Sequence, residues 1–166
     1  MPRRNKKLSK HVKKRPDVIY SSCLIRQFAC MLMKDGKYTK AYKKLCVALE
    51  SVVDKNTPGL SGEERKQAVV ELVDKLVAQA GPEVEIKTKR LGGATYPVPV
   101  VVRYERKVSL AFRWLIRFSR KRVGDIAKCL TQEFLDVLAN KGATIGEKEN
   151  LHRMAKANMA FANIKR

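Results

Sequence analysis

Acidic side chains are scarce in this 166-residue chain: 16 Asp and Glu stand against 36 Lys and Arg, a formal charge of +20. Self-repulsion on that scale is tolerated mainly when a polyanion neutralises it, so nucleic acid is the expected partner and an anionic membrane surface the second. Long apolar runs are missing too. No stretch reaches the roughly 20 apolar residues of a transmembrane helix, and the N-terminus lacks the apolar core of a signal peptide, so the chain reads as soluble and not exported. Histidine is nearly absent, with only His11 and His152. The four cysteines, Cys23, Cys30, Cys46 and Cys129, show no C-x-x-C spacing. A zinc site is therefore poorly supported; the thiols are expected in the core and reduced.

Catalytic signatures are equally lacking. No G-x-S-x-G, Walker loop, H-E-x-x-H or dinucleotide fingerprint occurs. Gly92-Gly93 leads into Ala94-Thr95, without the Lys-Ser/Thr that grips a nucleotide, so these glycines make a turn. The expectation is a binding protein and not an enzyme, without cofactor, metal or small-molecule substrate.

What the sequence does contain is helical patterning on both sides of a short alternating insert. At 45% hydrophobic, the chain is long enough for one domain and too short for two. Residues 1–15 hold Arg3, Arg4, Lys6, Lys7, Lys10, Lys13, Lys14 and Arg15 and no acid. Such a like-charge block is expected to be a disordered arm until it meets RNA, with Pro16-Asp17 marking entry to a single domain over 16–166. Leu24, Phe28, Met31 and Leu32 follow a possible Ser22 N-cap and stop at Asp35-Gly36; Tyr42, Leu45, Leu49, Val52 and Val53 mark a second helix. A capping box, Ser61 with Glu64, opens a third through Val69, Leu72, Val73, Leu76 and Val77 to the breakers Gly81-Pro82. Over 83–103 the period changes to two, giving a β-hairpin whose Pro97 and Pro99 allow the second strand to pair along one edge only. Such an arm is marginal alone, so it should pack at its base and bind with its tip. Helical spacing returns at Val108, Ala111, Phe112, Leu115 and Phe118, again at Ile126, Leu130, Phe134, Val137 and Leu138, and in a short last helix at Leu151, Met154, Ala155 and Phe161. The expected fold is mainly α: six helices with an extended hairpin between the third and fourth.

Three surfaces suit RNA. At the hairpin tip, Lys87, Lys89, Arg90 and Tyr96 combine point charges for phosphate with an aromatic face for a base, against the plainer reading of a solvated turn. In the fourth helix Arg106, Arg113, Arg117 and Arg120 fall at spacings of seven, four and three and so line one face. No acid lies between Arg106 and Gly124, whereas a solubilising face would interleave Glu. Trp114 beside them suits core or ligand equally. Near the C-terminus, His152, Arg153 and Asn158 are polar at helical spacing, although a lone histidine is more often a structural hydrogen-bonder. Charge alone leaves a DNA-binding module and a membrane-surface or calmodulin-target helix as rivals.

The order of several motifs narrows this. Met1-Pro2-Arg3-Arg4, Pro16-Asp17 with Tyr20, Met33-Lys34-Asp35-Gly36-Lys37, Val84-Glu85-Ile86-Lys87, Gly92 through Val100, Arg113-Trp114-Leu115, and Lys141-Gly142-Ala143-Thr144 running to His152-Arg153-Met154-Ala155 occur together. Over nearly its whole length the chain resembles the small-subunit ribosomal protein seven family of bacteria and organelles. The resemblance implies a six-helix domain with the inserted hairpin, direct binding to the 3′ major domain of small-subunit ribosomal RNA, a role in assembling the subunit head, neighbouring ribosomal proteins, and proximity to exit-site transfer RNA and messenger RNA. It implies contact surfaces at the basic arm, Lys34 to Lys37, the hairpin, the arginine helix and the C-terminal helix. Where the family usually has a Lys/Arg-rich run before the histidine, this chain has Gly146-Glu147-Lys148-Glu149-Asn150-Leu151, and the family's contact is not carried over there. Such drift, with the four cysteines, favours an organellar ribosome over a bacterial one.

Overall fold

The periodic segments become six α-helices in a computed structural model that describes residues 15–60, 62–91 and 93–162, with Leu91 described by its backbone alone. They are α1 (Cys23–Leu32), α2 (Tyr38–Asn56), α3 (Gly62–Ala80), α4 (Tyr104–Lys121), α5 (Ile126–Leu138) and α6 (Ala143–Ala157), with a short 3-10 turn at Met159–Phe161. The hairpin, β1 (Val84–Leu91) and β2 (Ala94–Val101), stands between α3 and α4 as expected. Residues 1–14 of the basic arm and Ser61 of the capping box lie outside the described residues.

Each helix turns its apolar stripe to a shared core. Phe28 of α1 stacks on Phe112 of α4 with centroids 4.4 Å apart, and Phe134 of α5 meets Phe28 edge-on at 5.8 Å. All three rings are fully buried. Leu45, Leu49 and Val52 of α2 and Val69, Val73 and Leu76 of α3 complete the same cluster. Burial of one such side chain contributes about 1.5–3 kcal/mol, and an aromatic pair about 0.5–1.5 kcal/mol beyond its area.

Several local expectations need correction. Ser22 occupies the N-cap of α1, but its side chain makes no capping hydrogen bond. Cys46 and Cys129 are buried, whereas Cys23 and Cys30 are exposed, because α1 is a surface helix that turns only Ile25, Phe28, Ala29 and Leu32 fully inward. The last helix is not short: α6 starts at Ala143, buries Thr144, Ile145 and Ala155, and leaves Met154 exposed.

The hairpin register pairs Val84 with Val101 and Leu91 with Ala94, placing Pro97 opposite Thr88 and Pro99 opposite Ile86. Just beyond the ladder, the Val102 N–H donates across to the Glu83 carbonyl at 2.9 Å. Donor direction alternates along a strand, so even-numbered residues aim inward and the missing donors of Pro97 and Pro99 both fall on the outer edge. The sheet stops at two strands. At its root, Gly81 joins α3 to β1 where a Cβ would meet Lys107 Cγ at 2.5 Å and the Val77 carbonyl at 2.6 Å, so no larger residue fits the backbone as it runs.

Candidate nucleic-acid interface

Asp17 fixes the point where the basic arm joins the body. Its buried carboxylate accepts from the N–H groups of Ile19 (3.1 Å) and Tyr20 (3.0 Å) and from the Tyr42 hydroxyl (2.7 Å). The Tyr20 hydroxyl in turn donates to Glu50 at 2.6 Å. Burial first, then hydrogen bonding to a carboxylate, holds the Tyr20 and Tyr42 phenols well above their ordinary pKa. Burial likewise raises the Cys46 thiol beside them. Arg15, the last arginine of the arm, is exposed at this anchor.

Between α1 and α2 the chain turns through Asp35 (φ +52°) and Gly36 (φ +71°), both left-handed, and the Lys37 N–H closes the turn on the Lys34 carbonyl at 2.9 Å. The turn holds Lys34 and Lys37 at one end of a cleft of about 310 Å³, joined there by Lys40 and Lys44 from α2 and Arg120 from α4. Its floor is apolar: Leu32, Ala41 and Ile126. Asp35 lies 3.5 Å from Lys37, and Asp125 accepts from Lys44 at 2.8 Å, an ion pair that lowers the Asp125 pKa. Lys34 and Lys40 have no carboxylate partner among the described residues. The Arg120 guanidinium donates to the Leu32 carbonyl at 2.8 Å, which fixes its direction and leaves its charge uncompensated. Lys40 and Lys44 were not among the residues singled out by sequence.

Arg120 also borders a second concavity, of about 410 Å³, with Met31, Ile116, Arg113 and Arg117. The arginine stripe thus has one continuous stretch, Arg113, Arg117 and Arg120, all exposed. No carboxylate pairs with Arg113 among the described residues. No acid follows Arg106 within α4, but acids reach its arginines from elsewhere in the fold: Glu147 lies 3.5 Å from Arg117, and Glu85 accepts from Arg106 at 3.0 Å while lying 3.5 Å from Lys87. Arg106 is thereby drawn to the root of the hairpin and away from the other three. Arg117 and Lys121 both lie over the Phe118 ring, at 5.5 and 5.2 Å.

Of the C-terminal polar residues, His152 supports the hairpin. The His152 ring accepts from the Glu83 N–H through Nε2 at 3.1 Å, so Nδ1 carries the proton in this arrangement. The Tyr96 ring, expected to face a base, packs 5.6 Å from Phe161 at 50°. Asn158 donates to the Met154 carbonyl at 2.8 Å and finishes α6. Arg153 is exposed, as are Lys87 and Arg90 on β1, while Lys89 is partly buried. Trp114 is only 9% exposed and lines a concavity with Leu151 and Met154. In the altered run before His152, Lys148 Nζ turns inward to the Gln79 carbonyl at 2.7 Å, and desolvation lowers its pKa.

One cluster escaped the sequence reading altogether. Arg122, just past α4, donates to Glu133 (2.6 Å) and Asp136 (2.6 Å) of α5, and the Thr144 hydroxyl of α6 donates to the other Glu133 oxygen at 2.6 Å. Glu133 is completely buried. Burial opposes the Arg122 charge, but the hydrogen bonds to Asp136 and Glu133 outweigh it and raise the guanidinium pKa. The cluster ties α4, α5 and α6 together and so fixes the angle at which the arginine face is presented.

Among the described residues, no helix is long and apolar enough to cross a membrane, and no three His, Cys, Asp or Glu side chains are grouped to hold a metal ion. The family profile described as ribosomal protein S7p/S5e matches residues 2–159. The small ribosomal subunit protein uS7 of Chloroflexus aggregans is 40% identical over 152 residues, covering 91% of each chain. That of Microcystis aeruginosa is 41% identical over 160 residues, 94% of this chain and 97% of the relative; that of Lawsonia intracellularis is 43% identical over 152 residues, 90% and 91%. With the hairpin inserted between the third and fourth of six helices, and with a match that runs almost from end to end, the chain belongs to the ribosomal protein S7p/S5e family.

Proposed function

We propose that this chain is a structural constituent of the small ribosomal subunit that binds the 3′ major domain of its RNA directly, organises assembly of the subunit head, and lies near exit-site transfer RNA and the messenger RNA path. Its partners in this reading are that RNA and neighbouring small-subunit proteins, and its place is the ribosome, with an organellar one favoured by the drift before His152. The observation that carries the reading is the meeting of two basic surfaces at Arg120, which borders both the lysine-rimmed cleft and the arginine groove. Arginine forks pair with phosphate oxygens, and the lysines displace counterions around them. The helices set the relative angle of the RNA helices that they touch, and residues 1–15 add further charge.

Chemical footprinting of small-subunit RNA with and without the protein tests this. The expected result is protection confined to the 3′ major domain, with affinity that falls steeply as salt rises. Replacing Arg113 and Arg117 by Gln reduces the slope of log K against log salt by about 1–2. Protection elsewhere, or binding nearly independent of salt, overturns the reading.

A further inference from the structure

We propose that the cleft between the Lys34–Lys37 turn, α2 and the start of α5 receives a single unpaired, extruded nucleotide of the RNA, its base against the apolar floor and its phosphates on the lysine rim. The inference rests on the RNA-binding reading above and adds the class of nucleotide recognised.

The two basic concavities differ in chemistry. The α4 groove presents arginines around Met31 and Ile116, a side-on surface that suits a phosphate backbone running past it. The second is a recess of about 310 Å³, at the small end of the range for ligand sites. Its floor of Leu32, Ala41 and Ile126 offers no hydrogen-bonding side chain to a phosphate. An apolar floor beneath a cationic rim matches a ligand with a flat, weakly hydrated face and anionic flanks. An unstacked nucleotide has that form, whereas in a continuous duplex the base faces are stacked away. The rim is suited to flanking phosphates: Lys34 and Lys40 have no carboxylate partner among the described residues, and Arg120 is held in place by the Leu32 carbonyl. Asp125 on Lys44 and Asp35 on Lys37 are the acids at the rim, both on exposed side chains with room to reorient. An acidic peptide would satisfy the rim as well. The nucleotide is favoured because Arg120 makes the cleft continuous with the arginine groove, so one RNA strand can run from one into the other.

The test uses the full chain and three RNA stems: one with a single bulged adenosine, one with an abasic residue at the bulge, and one fully paired. The bulged stem should bind about tenfold more tightly than the other two, a ratio in keeping with burial of one modest apolar face. Ala41→Phe, which fills the recess, should abolish that preference and leave affinity for the paired stem unchanged. Lys40→Met alters an exposed side chain and remains informative if Ala41→Phe fails to fold. It should lower the salt slope for the bulged stem by about one and narrow the advantage of that stem over the paired one. Equal binding of the three stems by the native chain, or a preference that survives both substitutions, overturns the proposal. So does displacement of the bulged stem by a glutamate-rich peptide when the three stems bind alike, which assigns the cleft to a protein partner. A chain that binds the 3′ major domain with steep salt dependence yet ignores the bulge refutes this inference alone. Failure to bind that domain refutes the function proposed above.

Discussion

Arg120 and Arg122 stand two residues apart, and their guanidinium groups have opposite destinations. One edges the exposed cleft, while the other enters the protein to meet Glu133 and Asp136. Arg122→Met should therefore lower stability by about 3–5 kcal/mol, because it leaves Glu133 buried without its cation. Urea unfolding measures this, and below the transition the salt slope for RNA should be unchanged. A stable variant with a reduced slope would place Arg122 on the RNA instead. Sequence separates the two arginines only in part. A spacing of two removes Arg122 from the Arg113-Arg117-Arg120 face, but nothing local reveals an inward partner, since Glu133 lies on the next helix. That Lys40 and Lys44 line the cleft is hidden in the sequence for a related reason: their neighbours there come from three separate segments. His152, Tyr96 and Asn158 each have a polar atom or ring engaged within the fold, which their spacing in sequence did not reveal.

Among the elements, the hairpin depends most on something distant in sequence. It rests on α6 and the following turn at both ends, at its root through Glu83 with His152 and near its tip through Tyr96 with Phe161. Phe161→Ala should lower global stability by only about 0.5–1.5 kcal/mol, the worth of one aromatic pair, yet raise hydrogen exchange selectively in β2. Unchanged protection in β2 would mean that the tail does not support the arm. The hairpin and α1 to α5 were legible because their residues alternate with clean periods of two or 3.6, and because Gly81-Pro82 and Asp35-Gly36 punctuate them. Helix α6 was only half legible. It buries Thr144, Ile145 and Ala155 along its length, too small and too polar a set to draw a stripe, so the periodic signal fell on Leu151 and Met154 instead. The shape of the lysine cleft was not legible at all, since it exists only once α1, α2, α4 and α5 have packed.

For the molecule as a whole, the net charge of +20 and the few buried acids pull in different directions as pH changes. Tyr20 and Tyr42 are held protonated by burial and by Glu50 and Asp17, with folded pKa values above the ordinary 10.0. The folded state then binds more protons than the unfolded one at alkaline pH, so this contribution is complete below about pH 10 and is lost as pH rises beyond it. Of the five tyrosines, these two should ionise only together with loss of helical circular dichroism. Ionisation of all five near pH 10 with the fold intact would contradict the Asp17 and Glu50 networks. The outward-facing prolines of β2 have a consequence at this scale as well. An arm of two strands is an open invitation to homotypic strand addition. Pro97 and Pro99 withdraw two donors from the outer rim of β2, and Lys87 and Arg90 add like charge to β1. The same arm that reaches outward is thereby a poor template for fibre growth while the chain is still unassembled.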